Sequence, residues 1–230
     1  MSEPQILAIG GLGREAGGPL QRFLLEASGA RRPRVLFVPT AGGDADWSSL
    51  RFYESFASLE CRPAVLTLFG IPPPDLRALV LEQDVVYVSG GNTANMLAVW
   101  RVHGLDRVLR EAWERGIVLA GWSAGSICWF EAGVTDSFRR ELDGLECLGF
   151  LPGSNCPHYD AEEQRRPAYH RLVADGFPSG LAADDGAALH FRGTELAEVV
   201  ADRPGARGYR VERAGDGSVL ETPLPARLVD

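Results

Sequence analysis

A repeated alternation narrows the fold of this chain more than any other feature. Residues 6–9, Arg34–Val38, 84–88 and 117–120 are short apolar runs closed respectively by Gly10-Gly11, by Pro39-Thr40-Ala41-Gly42-Gly43, by Ser89-Gly90-Gly91 and by Gly121. Unbroken apolar runs of this length read as strands covered on both faces, the habit of parallel sheets. Between them lie segments at helical spacing: 18–30 with Leu20, Phe23, Leu24 and Ala27; 46–59 with Leu50, Tyr53 and Phe56; 94–102; and 105–115 with Leu105, Val108, Leu109 and Ala112. Pro72-Pro73-Pro74 opens a shorter helical stretch ending near Glu82, and residues 64–69 read as a further strand. Alternation over residues 6–130 predicts a mostly parallel sheet with helices on both faces. At 230 residues the chain is expected to form one domain, 1–230.

Past Phe130 the pattern loosens. Gly133, Asp136, Asp143, Gly144, Gly149, Pro152 and Gly153 punctuate short segments and predict a loop-rich excursion. Residues 161–176 read as a polar helix broken or kinked at Pro167. Residues 181–191 place Asp184 and Asp185 at a turn into a strand, and Glu195–Ala201 and 209–213 read as closing strands.

Composition excludes several kinds of chemistry. The net charge of −8 leaves no concentrated basic surface, so neither nucleic acid nor an anionic membrane is an expected partner. No run approaches the length needed to span a bilayer, and the first residues lack a basic stretch followed by a long apolar one; the expected location is the cytoplasm. Cys61, Cys128, Cys147 and Cys156 lack paired spacing and read as reduced thiols. All 23 basic residues are arginine, which rules out Schiff-base and Ser–Lys catalysis. The four histidines have no metal-site spacing, so no metal or cofactor is expected.

Residues 121–125 read G-W-S-A-G, a strand running into a helix through a serine flanked by small residues. That is the pattern of a nucleophile elbow, in which Ser123 projects from the end of a sheet. A serine hydroxyl attacks at neutral pH only when a base takes its proton and a third group orients that base. His103, at a helix end, His170, in a polar helix, and His190, alternating with apolar residues in a strand, read as packed or solvated. His158 follows Pro157 in a short irregular stretch after the parallel core, from which a side chain can reach the elbow. Asp184 or Asp185 offers the carboxylate.

The segments S-G-G-N-T at 89–93, G-W-S-A-G at 121–125, N-C-P-H-Y at 155–159 and G-L-A-A-D-D-G at 180–186, in this order, resemble the dipeptidase E/cyanophycinase family of serine peptidases. The resemblance spans nearly the whole chain. It implies an α/β fold, a three-layer α/β/α sandwich with a mostly parallel sheet similar to class I glutamine amidotransferases and flavodoxin-like in type. It implies a serine exopeptidase or dipeptidase acting on short peptides, and is compatible with a homodimer. Carried over by position, Ser123 is the nucleophile, His158 the general base and Asp185 the orienting carboxylate. Gly91 and Ala124 supply the oxyanion-hole N–H groups, and Asn92 anchors the substrate or the loop.

The family often carries Glu at the position of Asp185, so the shorter side chain calls for a closer loop or a contribution from Asp184. The aspartyl-dipeptidase branch of the family binds its substrate aspartate through an arginine in the segment after the catalytic histidine. Here that segment reads D-A-E-E-Q-R-R-P, with Glu162 and Glu163 near the expected place and Arg165 and Arg166 slightly later. Those two arginines are candidates for binding a substrate carboxylate, against the plainer reading that they belong to a solvated helix face. A cyanophycinase-like or other small-amide hydrolase, and a catalytically silent ligand-binding relative, are the alternatives.

Overall fold

The computed structural model describes residues 3–12 and 17–230; Met1 and Ser2 of the N-terminal stretch considered above lie outside it. The chain runs β1 (Gln5–Ile9), α1 (Pro19–Ala27), β2 (Arg34–Val38), α2 (Asp46–Phe56), β3 (Arg62–Val65), α3 (Leu76–Leu81) and β4 (Val85–Val88). It continues through α4 (Thr93–His103), α5 (Leu105–Glu114), β5 (Val118–Trp122) and α6 (Ala124–Ile127). Then come β6 (Phe130–Thr135), β7 (Asp143–Glu146), β8 (Leu151–Cys156), α7 (Arg165–Ala174), β9 (Gly180–Ala183) and β10 (Ala187–Arg192). Last are β11 (Glu195–Ala201), β12 (Gly208–Arg213), β13 (Val219–Leu224) and β14 (Ala226–Leu228).

The main sheet has the order β14-β11-β10-β1-β5-β4-β2-β3. From β1 to β3 every neighbour is parallel, as the alternation predicts, while β10 joins β1 antiparallel and β11 joins β10 antiparallel. Period-2 side-chain alternation splits each strand between two cores. Leu7, Ile9, Val35, Phe37, Val85, Tyr87, Val118 and Ala120 pack beneath α1 and α2. Ile6, Ala8, Leu36, Val38, Val86, Val88 and Leu119 face α4 and α5 on the other side. No helix among the described residues is long and apolar enough to cross a membrane.

Three expectations are corrected. The excursion after Phe130 is largely sheet: β6, β7, β8, β9, β12 and β13 form a second, six-stranded sheet of order β13-β12-β9-β8-β6-β7. Two of its glycines mislead because they are packing sites, with Ile127 pressed onto Gly133 and the Phe177 ring onto Gly144. Phe130, Leu151 and Leu181 of this sheet join the core shared with α4 and α5, and α7 covers its other face through Tyr169 and Val173. Secondly, β3 stops at Val65 rather than reaching residue 69, because its one partner, β2, pairs only through Phe37. Beyond that point the N–H groups of Leu68 and Phe69 turn to the Asp44 carboxylate. Thirdly, Pro167 neither breaks nor kinks a helix: α7 begins at Arg165, so the proline sits in a first turn that needs no N–H donor there.

Candidate active site

The carboxyl ends of β1, β2, β4 and β5 converge, the usual location of ligand sites in open parallel sheets. Ser123 stands between β5 and α6 with φ 54° and ψ −113°, its N–H donating to Ile9 O at 3.2 Å. A bulky residue in this conformation costs on the order of 1–3 kcal/mol. The neighbouring glycines are a packing requirement: a Cβ on Gly125 would lie 2.5 Å from Val88 O, and one on Gly121 2.7 Å from the same oxygen. Among the described residues only Asp44, Ser123 and His158 have positive φ without being glycine. Two of the three are thus the serine and the histidine singled out in the sequence.

Gly91, at φ +140°, lies so close to the β2 turn that a Cβ would be 2.1 Å from Ala41 O. This pins the Gly90-Gly91 loop beside Ser123, reinforced by Asn92 N–H donating to Ala41 O at 2.8 Å. Asn92 itself caps α4 through Asn95 N–H at 2.8 Å, and its amide donates to Ser137 O at 2.9 Å. Of the two roles expected for Asn92, these contacts are those of a loop anchor. Ser126, the other serine of the elbow, is fully buried with its hydroxyl on Asn155 Oδ1 at 2.9 Å.

His158 follows β8, where the second sheet directs it back toward the main one. Its Nδ1 is 2.6 Å from Asp185 Oδ1, and both side chains are partly accessible. A carboxylate only accepts, so the shared proton resides on Nδ1. Asp185 approaches this closely because Gly11 yields the space: a Cβ there would be 1.9 Å from Asp185 Oδ1 and 2.8 Å from His158 Nδ1. The Asp185 loop is further held by its N–H on Asp160 Oδ1 at 2.8 Å and by Arg203 Nε on its carbonyl at 3.1 Å, with Arg203 also paired to Asp160. Asp160 and Arg203 were not singled out in the sequence; a carboxylate two residues past His158 was the available signal.

Asp184 points elsewhere. Its Oδ2 accepts from Arg207 N–H at 3.1 Å and Tyr209 OH at 3.3 Å, while Oδ1 is buried with no partner among the described residues. Burial first, and the nearby Asp160 charge second, push its pKa up to about 6. The folded state therefore holds this proton more tightly than the unfolded chain, in which Asp titrates near ~3.9. Its contribution to stability declines as pH rises from about 4 to about 6 and is level above that. Asp184→Asn removes the slope. In urea melts across this range the variant's stability relative to the parent should rise between about pH 4 and 6 and then stay constant; a pH-independent difference would contradict this.

Arg165 and Arg166 are not brought to Ser123. Arg165 is 3% exposed, donating to Glu162 Oε2 at 2.7 Å and Val134 O at 3.0 Å, so it belongs neither to a substrate site nor to a solvated face. Arg166 lies over the Tyr159 and Tyr209 rings, 4.8 Å from each centroid, and pairs with Glu221. His190 is buried against Gln5 and Glu198, and His170 bonds Glu221, as packed histidines. Among the described residues no group of three or more His, Cys, Asp or Glu side chains converges as a metal site.

Ser123, His158, Gly90 and Gly91 open into one cavity of about 740 Å³. Compared with known proteins, residues 6–199 match the model of peptidase family S51. The chain belongs to peptidase family S51. It is 51% identical over 229 residues to a Bacillus subtilis protein named Uncharacterized peptidase YgaJ, covering 98% of this chain and 99% of that one. Peptidase E of Citrobacter koseri is 30% identical over 131 residues, 56% of each chain. Two solved structures share the fold. A peptidase from an acI-B1 Actinobacterium has TM-score 0.74 at 19% identity, covering 97% of this chain and 95% of its own. A putative peptidase E from Listeria monocytogenes has TM-score 0.62 at 18% identity, covering 88% and 99%. This S51 member is accordingly a serine-type peptidase on an α/β fold.

Proposed function

We propose that this S51 peptidase is an exopeptidase or dipeptidase cleaving short peptides, with Ser123 as nucleophile, His158 as general base and Asp185 as the group that orients it. The observation that carries the reading is the 2.6 Å contact of His158 Nδ1 with Asp185 Oδ1 on the wall of the cavity that also exposes Ser123.

That contact supports the following steps. Nε2 of His158 takes the Ser123 proton as Oγ attacks the amide carbon, and Asp185 stabilises the resulting imidazolium. Negative charge collects on the former carbonyl oxygen. The N–H groups of Gly91 and Ala124 have no protein acceptor among the described residues and are the donors for that oxyanion. His158 then returns the proton to the leaving amine, the C–N bond breaks and an acyl-Ser123 ester remains. Water, deprotonated by His158, hydrolyses the ester and restores the hydroxyl.

A cavity of about 740 Å³ suits a substrate of a few residues. Product analysis by mass spectrometry on mixed di-, tri- and decapeptides with a β-Asp-Arg dipeptide included tests this. Release of single residues or dipeptides from the short α-peptides is expected. Cleavage confined to β-Asp-Arg, or internal cleavage of the decapeptides, would overturn the assignment.

A further inference from the structure

The cavity that holds Ser123 and His158 extends along α2, and its walls there are aromatic. Trp122, the residue before Ser123, lies parallel to Phe37 with ring centroids 5.9 Å apart and 6° between planes. Phe37 in turn stacks on Phe52 at 4.6 Å and 9°. Tyr87 tilts against Trp122 at 5.1 Å. Phe37, Phe52 and Tyr87 are buried and make a fixed floor, while Trp122 is half-buried and Trp47 is 63% exposed, so these two offer reachable faces.

Among the described residues, charge is sparse in this part of the cavity. Apart from His158, the charged residues among the described lining are Arg51 and Glu54, one of each sign and both exposed. The Arg51 guanidinium sits 5.9 Å from the Trp47 ring centroid. An acidic side chain leaving water for such a site needs a buried, well-paired cation, and an exposed arginine with an opposite charge on the same rim compensates little. An aromatic ring needs only apolar faces, and gains from area removed from water and from ring-on-ring contact.

We propose that this lobe is a specificity pocket for an aromatic side chain, so that the preferred peptides carry Phe, Tyr or Trp beside the scissile bond. The proposal rests on the hydrolytic reading above for its meaning, and its test reads binding apart from turnover. Trp122 ties the pocket to the nucleophile through one peptide bond, so a ring held against it has its own backbone next to Ser123. Trp47, on α2, lines the same cavity.

The test is calorimetric titration of the full-chain Ser123→Ala protein with Phe-Ala, Ala-Phe, Ala-Ala, Asp-Ala and Ala-Asp, alongside turnover of the same dipeptides by the parent. At least one Phe dipeptide should bind about tenfold or more tightly than Ala-Ala and than either Asp dipeptide. Trp47 is exposed, so Trp47→Ala should fold; added to the same background it should narrow the Phe-to-Ala ratio by about fivefold. Tightest binding of an Asp dipeptide, equal affinity for Phe and Ala, an unchanged ratio in Trp47→Ala, or no binding of any dipeptide would each overturn the pocket. Phe-selective binding without hydrolysis by the parent would instead leave the pocket standing and remove the hydrolytic reading.

Discussion

Ser123→Ala should lower kcat/KM on a cleaved dipeptide by at least about 10³-fold while leaving the protein folded. The expectation follows from what the side chain does and does not touch. The backbone N–H of Ser123 stays on Ile9 O, and its carbonyl still accepts from Ser126 and Ile127 N–H at 2.9 Å, so the elbow keeps its anchors. Alanine at φ 54° is strained as serine is, and the melting temperature should move by only a few degrees. Ser126 cannot take over, being fully buried and committed to Asn155. Residual rate enhancement over water comes from the N–H pair and from substrate positioning. Activity near that of the parent in a clean preparation would remove Ser123 from the mechanism.

The second large effect is at Asp185. Asp185→Asn keeps size and a polar contact to His158, yet an amide no longer fixes the proton on Nδ1 nor stabilises an imidazolium, and kcat should fall about 10⁴-fold. Asp184→Asn is the matched comparison. Its oxygen serves Arg207 N–H and Tyr209 OH rather than the imidazole, so kcat should stay within about tenfold of the parent. Steady-state kinetics on both variants decide between the adjacent aspartates. The reverse ranking would place the orienting role on Asp184 and contradict the hydrogen bond on which the site is built.

The difference between these two carboxylates illustrates how far the sequence could be read. The D-D-G turn identifies a pair of candidates, but which one meets His158 depends on Gly11, 174 positions away in the chain, yielding space to Asp185. The first strands were legible because unbroken apolar runs have few other uses, and Arg34–Val38 is both the expected run and the observed strand. The second sheet was not, since strands such as Asp143–Glu146 (DGLE) and Leu151–Cys156 (LPGSNC) have turn composition and become extended only through pairing with distant partners. Likewise the surroundings of Arg165 are not legible in the sequence, because burial against Glu162 and Val134 is a tertiary fact with no local pattern. The elbow survived translation into three dimensions because its glycines are dictated by contacts with Val88 at the end of the adjacent strand, close to the serine itself.

The most direct test of the central claim is covalent capture of the nucleophile by a fluorophosphonate probe, read by mass spectrometry of the intact and digested protein. One adduct per chain on Ser123, absent from the acid-unfolded protein and strongly slowed in His158→Ala, is the predicted result. An adduct on another residue, or unmodified Ser123 in a preparation that still hydrolyses dipeptides, would contradict it.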